Sequence, residues 1–144
     1  MPQAEQAVEV GEANRNENET DGEIPLDDVI DAIGKERRRT LLDVLDEGGG
    51  GTFAEVVARV SEEIYGADYS STERKRVYVS LYQNHVPRLA ESGVVVFEGT
   101  GEDDRIYQGP AFEETKDALD GLRHSLERSR DGGPGFRTLR DILG

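Results

Sequence analysis

Apolar residues recur at helical spacing through the first two thirds of the chain, separated by polar stretches and glycines. The spacing predicts a helix after Pro25, a second from Lys35 to Glu47, and a third that Thr52 caps together with Glu55. The apolar positions of these helices are Leu26, Val29, Ile30, Ile33, Leu41, Leu42, Val44, Leu45, Phe53, Val56, Val57, Val60 and Ile64. Glycines at 48–51 are expected to form a flexible connector.

A longer helical segment is predicted over residues 70–92, where Ser70 and Glu73 have the spacing of a capping box. Pro87 lies inside this segment. Because a proline ring clashes with the carbonyl group four residues earlier in a helix, a kink or break is expected near Asn84–Val86.

The run Val94–Phe97 and the segment Arg105–Tyr107, joined by a turn rich in glycine and acids, predict a β-hairpin. Three helices, a long helix and a hairpin are the parts of a winged helix-turn-helix. We therefore predict a mainly α fold with a small β-hairpin, in which residues 25–108 form a winged helix-turn-helix domain. Residues 109–144 are predicted to be a C-terminal helical extension. Residues 1–24 are acidic and poor in apolar side chains, so they are expected to be a disordered tail.

The extension carries a coiled-coil-like seam with alternating steps of three and four residues. Its members are Phe112, Thr115, Leu119, Leu122, Leu126 and Ser129. Two interpretations remain open: the seam folds back and completes the core of the winged helix, or it pairs with a second copy of the chain. In the second interpretation Phe112, Leu119, Leu122 and Leu126 form a homodimer interface.

Composition excludes several classes of protein. The 144 residues include 31 Asp and Glu against 17 Lys and Arg, a net charge of -14, and no Cys. The missing cysteines exclude thiol catalysis, disulfides and Cys-based zinc sites. No apolar run could span a membrane and no export signal is visible, so a cytoplasmic location is expected. Few lysines among many carboxylates indicate a halophilic protein, and the alternative is an ordinary acidic protein with a disordered tail.

Two segments resemble ArsR-type transcriptional regulators of the winged-helix class. Residues 35–45 are similar to their second-helix region, and residues 89–95 to the end of their recognition helix and the entry to their wing. A longer segment, Arg74–Leu89, resembles the signature of a haloarchaeal domain family of unknown function. That family is predicted to be a winged helix and is thought to act in transcription. The resemblance implies a fold and a haloarchaeal source, but no demonstrated activity.

The long helix carries the candidate DNA-binding face. Measured from Leu81, the residues opposite its buried side are Thr72, Lys75, Arg76, Val79 and Gln83. Arg and Gln side chains can read guanine and adenine through bidentate hydrogen bonds, whereas Lys and Thr suit phosphates. The alternative is a solvated helix face, on which charged residues need no ligand.

Two further arginines are candidate DNA contacts. Arg39 is predicted to point away from the core, where it could contact a phosphate. Arg105 lies in the predicted wing, from which arginines can reach a minor groove. Its neighbours Glu102, Asp103 and Asp104 would repel phosphates, and this local charge is the main objection to a wing contact.

The residues contain no catalytic or metal-binding pattern, so no enzyme, metal or cofactor is expected. The favoured hypothesis is a haloarchaeal winged-helix protein that binds double-stranded DNA as a transcription regulator, as a homodimer. The alternative is a winged-helix protein–protein interaction module that does not bind DNA. The acid excess is a weak argument against DNA at molar salt, where charges are screened beyond about 3 Å.

Overall fold

The helices and strands follow the predicted order, with one additional strand. The structure, a computed structural model, describes residues 23–99 and 103–130. Its helices are α1 (Leu26–Ile33), α2 (Glu36–Gly48), α3 (Phe53–Tyr65), α4 (Ser71–Ser80), α5 (Val86–Glu91) and α6 (Phe112–Arg130). Its strands are β1 (Gly51–Thr52), β2 (Val95–Glu98) and β3 (Arg105–Gln108). Most of the predicted N-terminal tail lies outside the described residues.

The predicted hairpin is the larger part of a three-stranded antiparallel sheet with the order β1-β3-β2. Strand β3 pairs with β2 from Val95↔Gln108 to Glu98↔Arg105 and with β1 at Thr52↔Arg105. The glycines expected to form a flexible connector lead into β1 instead. A Cβ atom at Gly50 would lie 2.5 Å from the carbonyl oxygen of Ile106, so glycine lets the chain approach β3 closely.

The predicted fold class is confirmed, because the chain is mainly helical with a small antiparallel sheet. The order α2, β1, α3, α4, β2, β3 is compatible with a winged helix-turn-helix, in which α3 and α4 are the helix-turn-helix pair and the β2–β3 hairpin is the wing. Helices α2, α3 and α4, together with the sheet, enclose the core. Its fully buried large side chains are Leu41, Leu42, Leu45, Phe53, Val56, Val57, Val60, Val77, Leu81, Leu89, Ile106 and Leu119.

The long helical segment continues past its proline through a π-helical turn. Residues Leu81–His85 form a π-helical turn between α4 and α5, and the Val86 N–H donates to the carbonyl of Leu81, five residues earlier. Pro87 then falls in the first turn of α5. The wider turn therefore accommodates the proline that was expected to kink or break the helix near Asn84–Val86.

Helix α6 packs back onto α1 and α2 through the first half of its seam. Phe112 and Leu119 are each 2 % exposed, so the chain's own core occupies these two residues of the expected dimer interface. Leu122 and Leu126 are 50 % and 43 % exposed and remain on the surface of the described chain. Within residues 23–99 and 103–130, no helix is both long and apolar enough to cross a membrane.

Candidate nucleic-acid interface

The first turn of α4 is fixed by a reciprocal capping box. The Glu73 N–H donates to Ser70 Oγ at 3.0 Å, and the Ser70 N–H donates to Glu73 Oε1 at 2.9 Å. Glu73 is the only acid in α4, and this bond commits its carboxylate to the helix start. The outward face of the helix that follows therefore carries no acid of its own.

Basic side chains gather on that outward face. A shallow depression of about 480 Å³ is lined by Arg37, Thr72, Lys75, Arg76, Val79 and Ser80, which include three cations and no acid. Lys75 and Arg76 are exposed and form no ion pair or side-chain hydrogen bond with another described residue. We call this surface the basic face. In a chain with a net charge of -14, it is a local reversal of sign.

Arg37, a residue of α2, also belongs to the basic face. Its Nη2 donates to the Tyr65 hydroxyl at 2.9 Å, so a phenol and not a carboxylate holds the guanidinium. Its charge is thus not cancelled by an acid. No signal in the α2 sequence could have placed it beside α4, because the crossing of two helices decides which residues become neighbours.

Gln83 and Arg39, two other candidates, lie outside the depression. Gln83 is exposed but falls in the π-helical turn, beyond the last residue that lines the depression. The Arg39 Nη1 donates to the carbonyl of Ile33 at 2.8 Å. Arg39 lines a separate groove between α2 and α6 with Leu122 and Leu126, so the structure does not bring it together with Lys75 and Arg76.

Arg105 lies at the tip of the wing, beside two described carboxylates that differ in exposure. Its Nε donates to the Tyr107 hydroxyl at 2.6 Å, and its guanidinium lies 5.8 Å from the centre of the same ring. Asp104 is 3 % exposed, and a Cβ on Gly99 would come within 2.5 Å of its Oδ1. This carboxylate therefore lies close to the backbone of Gly99 and away from solvent. Asp103 is exposed, and Glu102 lies outside the described residues. The expected repulsion of phosphates by these acids stays a prediction, with Asp104 buried and Asp103 exposed.

A buried arginine of α2 holds the end of the π-helical turn that follows α4. The Arg38 Nε donates to His85 Nδ1 at 2.9 Å, and Nη1 bonds both the carbonyl oxygen and the carboxylate of Asp31. Burial of His85, which is 6 % exposed, together with the charge of Arg38, lowers its pKa to about 4. The imidazole is thus neutral at pH 7 and can accept this hydrogen bond.

One family model matches the chain. A family model described as "Domain of unknown function (DUF7344)" matches residues 30–103, just over half of the chain. The chain belongs to the DUF7344 family. No curated protein and no solved structure matches it.

The DUF7344 match runs from within α1 to the turn before β3. It contains every residue that lines the basic face, whereas α6 lies outside it. Within the described part of the DUF7344 domain and α6, no group of three or more His, Cys, Asp or Glu side chains could hold a metal ion. The basic face thus lies wholly within the matched domain.

Proposed function

We propose that this DUF7344 protein binds double-stranded DNA through α4 and acts in the cytoplasm as a transcription regulator, without catalytic activity. The observation that carries the proposal is the basic face. Lys75 and Arg76 have no partner among the described residues, and Arg37 adds a third cation without an acid. Cations left unpaired in a strongly acidic chain favour an anionic ligand.

In a winged helix-turn-helix, α4 would be the helix that enters the DNA major groove. The second helix of a helix-turn-helix enters the major groove with its N-terminal residues on the base edges. Arg76 would read guanine by a bidentate hydrogen bond, while Lys75 and Thr72 would contact phosphates. Gln83, further along the segment, would contact an adenine or the adjoining backbone.

A halophilic setting, which the composition favours, would lower the cost of the acid excess. At molar salt the Debye length is about 3 Å, so the net charge of -14 neither repels nor steers DNA over long distances. Affinity then depends on short contacts made by a few side chains. The basic face supplies such contacts in one place.

The test is selection of binding sites from a randomised duplex pool in molar KCl, followed by fluorescence polarisation with the selected duplex. The double variant Lys75→Ala/Arg76→Ala should lose roughly 100-fold in affinity. The matched control, Arg128→Ala/Arg130→Ala, removes the same two charges from the end of α6 and should bind within about twofold of the wild type.

Two outcomes would overturn the proposal. If no sequence is enriched and no specific binding is seen from low to molar KCl, the chain is not a DNA-binding regulator, and the protein-interaction module becomes the better hypothesis. If both double variants lose affinity equally, net charge and not the basic face governs binding.

We further propose that a second copy of the chain covers the exposed end of α6. Leu122 and Leu126 are exposed at helical spacing, and an antiparallel pair of α6 helices centred on His124 would bring Leu122 opposite Leu126 of the other copy. A two-fold dimer would require a palindromic operator. Light scattering should give the dimer mass for the wild type and the monomer mass for Leu122→Glu/Leu126→Glu; equal masses would exclude this interface.

A further inference from the structure

Two tyrosines lie exposed and stacked beside the basic face. The ring centres of Tyr78 and Tyr82 are 5.8 Å apart with an angle of 14° between the ring planes. The residues are 36 % and 44 % exposed. Aromatic residues at this spacing are expected to pack into or against the core, so a stacked pair that remains open to solvent requires a separate explanation.

The two tyrosine rings pack against Phe53 and Phe97. Phe53 lies 5.2 Å from Tyr78 and 6.2 Å from Tyr82, measured between ring centres, and Phe97 of the wing lies 6.0 Å from Tyr82. Phe53 is 2 % exposed and anchors the cluster in the core. Since folding has already fixed the rings, a ligand that meets their hydroxyls has little further side-chain entropy to remove.

The two hydroxyls are unoccupied within the described part of the chain. Neither the Tyr78 hydroxyl nor the Tyr82 hydroxyl forms a hydrogen bond with another described residue. By contrast, the hydroxyl of Tyr65 accepts a hydrogen bond from Arg37, and that of Tyr107 accepts one from Arg105. The α4 pair therefore presents two neutral donors to whatever lies above it.

The same two tyrosines continue a row of phosphate-binding residue types. Ser71, Lys75, Tyr78 and Tyr82 follow one another at steps of four, three and four residues, so they lie along one side of the helical segment. Ser, Lys and Tyr side chains are all common donors to DNA phosphates. The row borders the basic face at Lys75 and reaches the wing at Tyr82, which contacts Phe97.

We propose that Tyr78 and Tyr82 form an uncharged contact surface for the DNA backbone, with each hydroxyl donating a hydrogen bond to a phosphate oxygen beside the groove that α4 enters. The inference rests on the proposed function and explains how the protein would retain its affinity for DNA at high salt. Contacts by Lys and Arg release counterions, so their contribution falls as salt rises. A phenol neutralises no phosphate, and its hydrogen bond does not carry that dependence.

The experiment compares the salt dependence of two variants of the full chain. Tyr78→Phe/Tyr82→Phe keeps both rings and removes only the hydroxyls. Its affinity for the selected duplex should fall by about tenfold or more, because hydrogen bonds to charged groups are among the stronger ones. The slope of log K against log[KCl] should stay that of the wild type, whereas Lys75→Ala should reduce the slope by about one unit.

The possible outcomes separate this inference from the proposed function. Wild-type affinity in Tyr78→Phe/Tyr82→Phe, with Lys75→Ala still impaired, would overturn only the backbone contact and leave the pair to a protein partner. An altered slope in the double Phe variant would also overturn it. Absence of DNA binding by the wild type would overturn both proposals together. An unchanged unfolding midpoint of the double Phe variant ensures that a loss of affinity reports the hydroxyls and not the fold.

Discussion

Two sets of basic side chains in the described part of the protein differ in their partners, those at the junction of α6 with α2 and those on the outward side of α4. At this junction Lys116 and Arg123 each meet an acid: Lys116 Nζ lies 2.8 Å from Asp120 and 3.5 Å from Asp43, and Arg123 forms a bidentate pair with Asp43 at 2.9 and 3.0 Å. On α4, the cations meet no acid among the described residues. The junction cations thus hold elements together, whereas those of α4 remain available.

The protonation of the junction cations reflects the same difference. Burial opposes the charge of Lys116, but the hydrogen bond to Asp120 and the charges of Asp120, Asp43 and Asp46 together raise its pKa above the usual value. The hydrogen bond to Asp43 likewise raises the pKa of Arg123. A cation whose charge is stabilised inside the chain gains less from a nucleic acid. The comparison therefore separates structural from ligand-binding cations, and the following variants test that separation.

Removal of Arg38 should have the largest effect on the free energy of unfolding. The residue is 3 % exposed and bonds both His85 and Asp31, so Arg38→Ala should destabilise the fold by about 3 kcal/mol in chemical denaturation. Arg38→Met, which keeps most of the buried stem, separates lost packing from lost hydrogen bonds. An Arg38→Ala protein within about 0.5 kcal/mol of the wild type would mean that this junction does not stabilise the fold.

The stability of the same junction should depend on pH. Burial of His85 and the charges of Arg38, Arg37, Arg88 and Lys35 lower its pKa from 6.5 to about 4. Between these pH values the unfolded chain binds a proton that the folded chain does not, so the free energy of unfolding falls as the pH decreases from about 6.5 towards 4. Above pH 6.5 the contribution of the neutral His85 is fully present.

Urea unfolding at pH 7 and pH 5 measures this contribution. The wild type should lose about 2 kcal/mol more over that interval than His85→Gln, in which the carboxylates titrate as before but the imidazole is missing. Equal losses in the two proteins would show that His85 has the same pKa folded and unfolded.

Lys116 should make a smaller contribution. Its side chain is 11 % exposed and lies among Asp43, Asp46 and Asp120, all of which are more exposed to solvent. Lys116→Met keeps the stem, removes the charge and should cost about 1 kcal/mol of unfolding free energy. If it were as stable as the wild type, the pairing of α6 with α2 would be electrostatically neutral and the contrast with α4 would weaken.

The smallest effect on stability is expected on α4. Lys75→Ala/Arg76→Ala should change the free energy of unfolding by less than about 0.5 kcal/mol, because neither side chain has a partner among the described residues. The same protein should show the roughly 100-fold loss of DNA affinity given above. A destabilisation comparable to that of Lys116→Met would place these cations with the structural group.

Local features of the fold were predictable from sequence because neighbours in the chain produce them. The capping box of Ser70 and Glu73, the Thr52 cap and the strands of the wing all appear where their residue types indicated. Strand β1 was missed because two residues are too few to show a hydrophobic alternation. The π-helical turn was foreseen only as a disturbance near Pro87, since one residue cannot specify how a helix adjusts to it.

The candidate site was only partly predictable. Thr72, Lys75 and Arg76 share a face because helical periodicity alone decides which of them point outward together. Arg37 lies beside α4, and Arg39, predicted to point away from the core, lines the groove beside α6. Their destinations depend on how α2 crosses α4 and α6, which no periodicity within α2 can show.

Short-range patterns in the sequence by themselves determined the helices, the wing and the outward face of α4, because capping and periodicity act between residues a few positions apart. The tertiary structure alone decided which charges are cancelled. Arg123 meets Asp43 across 80 positions of the chain, and Asp104 is buried in its turn, while Lys75 and Arg76 remain open. Ion pairing depends on distances of a few ångströms between elements remote in sequence, and only the packing of helices fixes such distances.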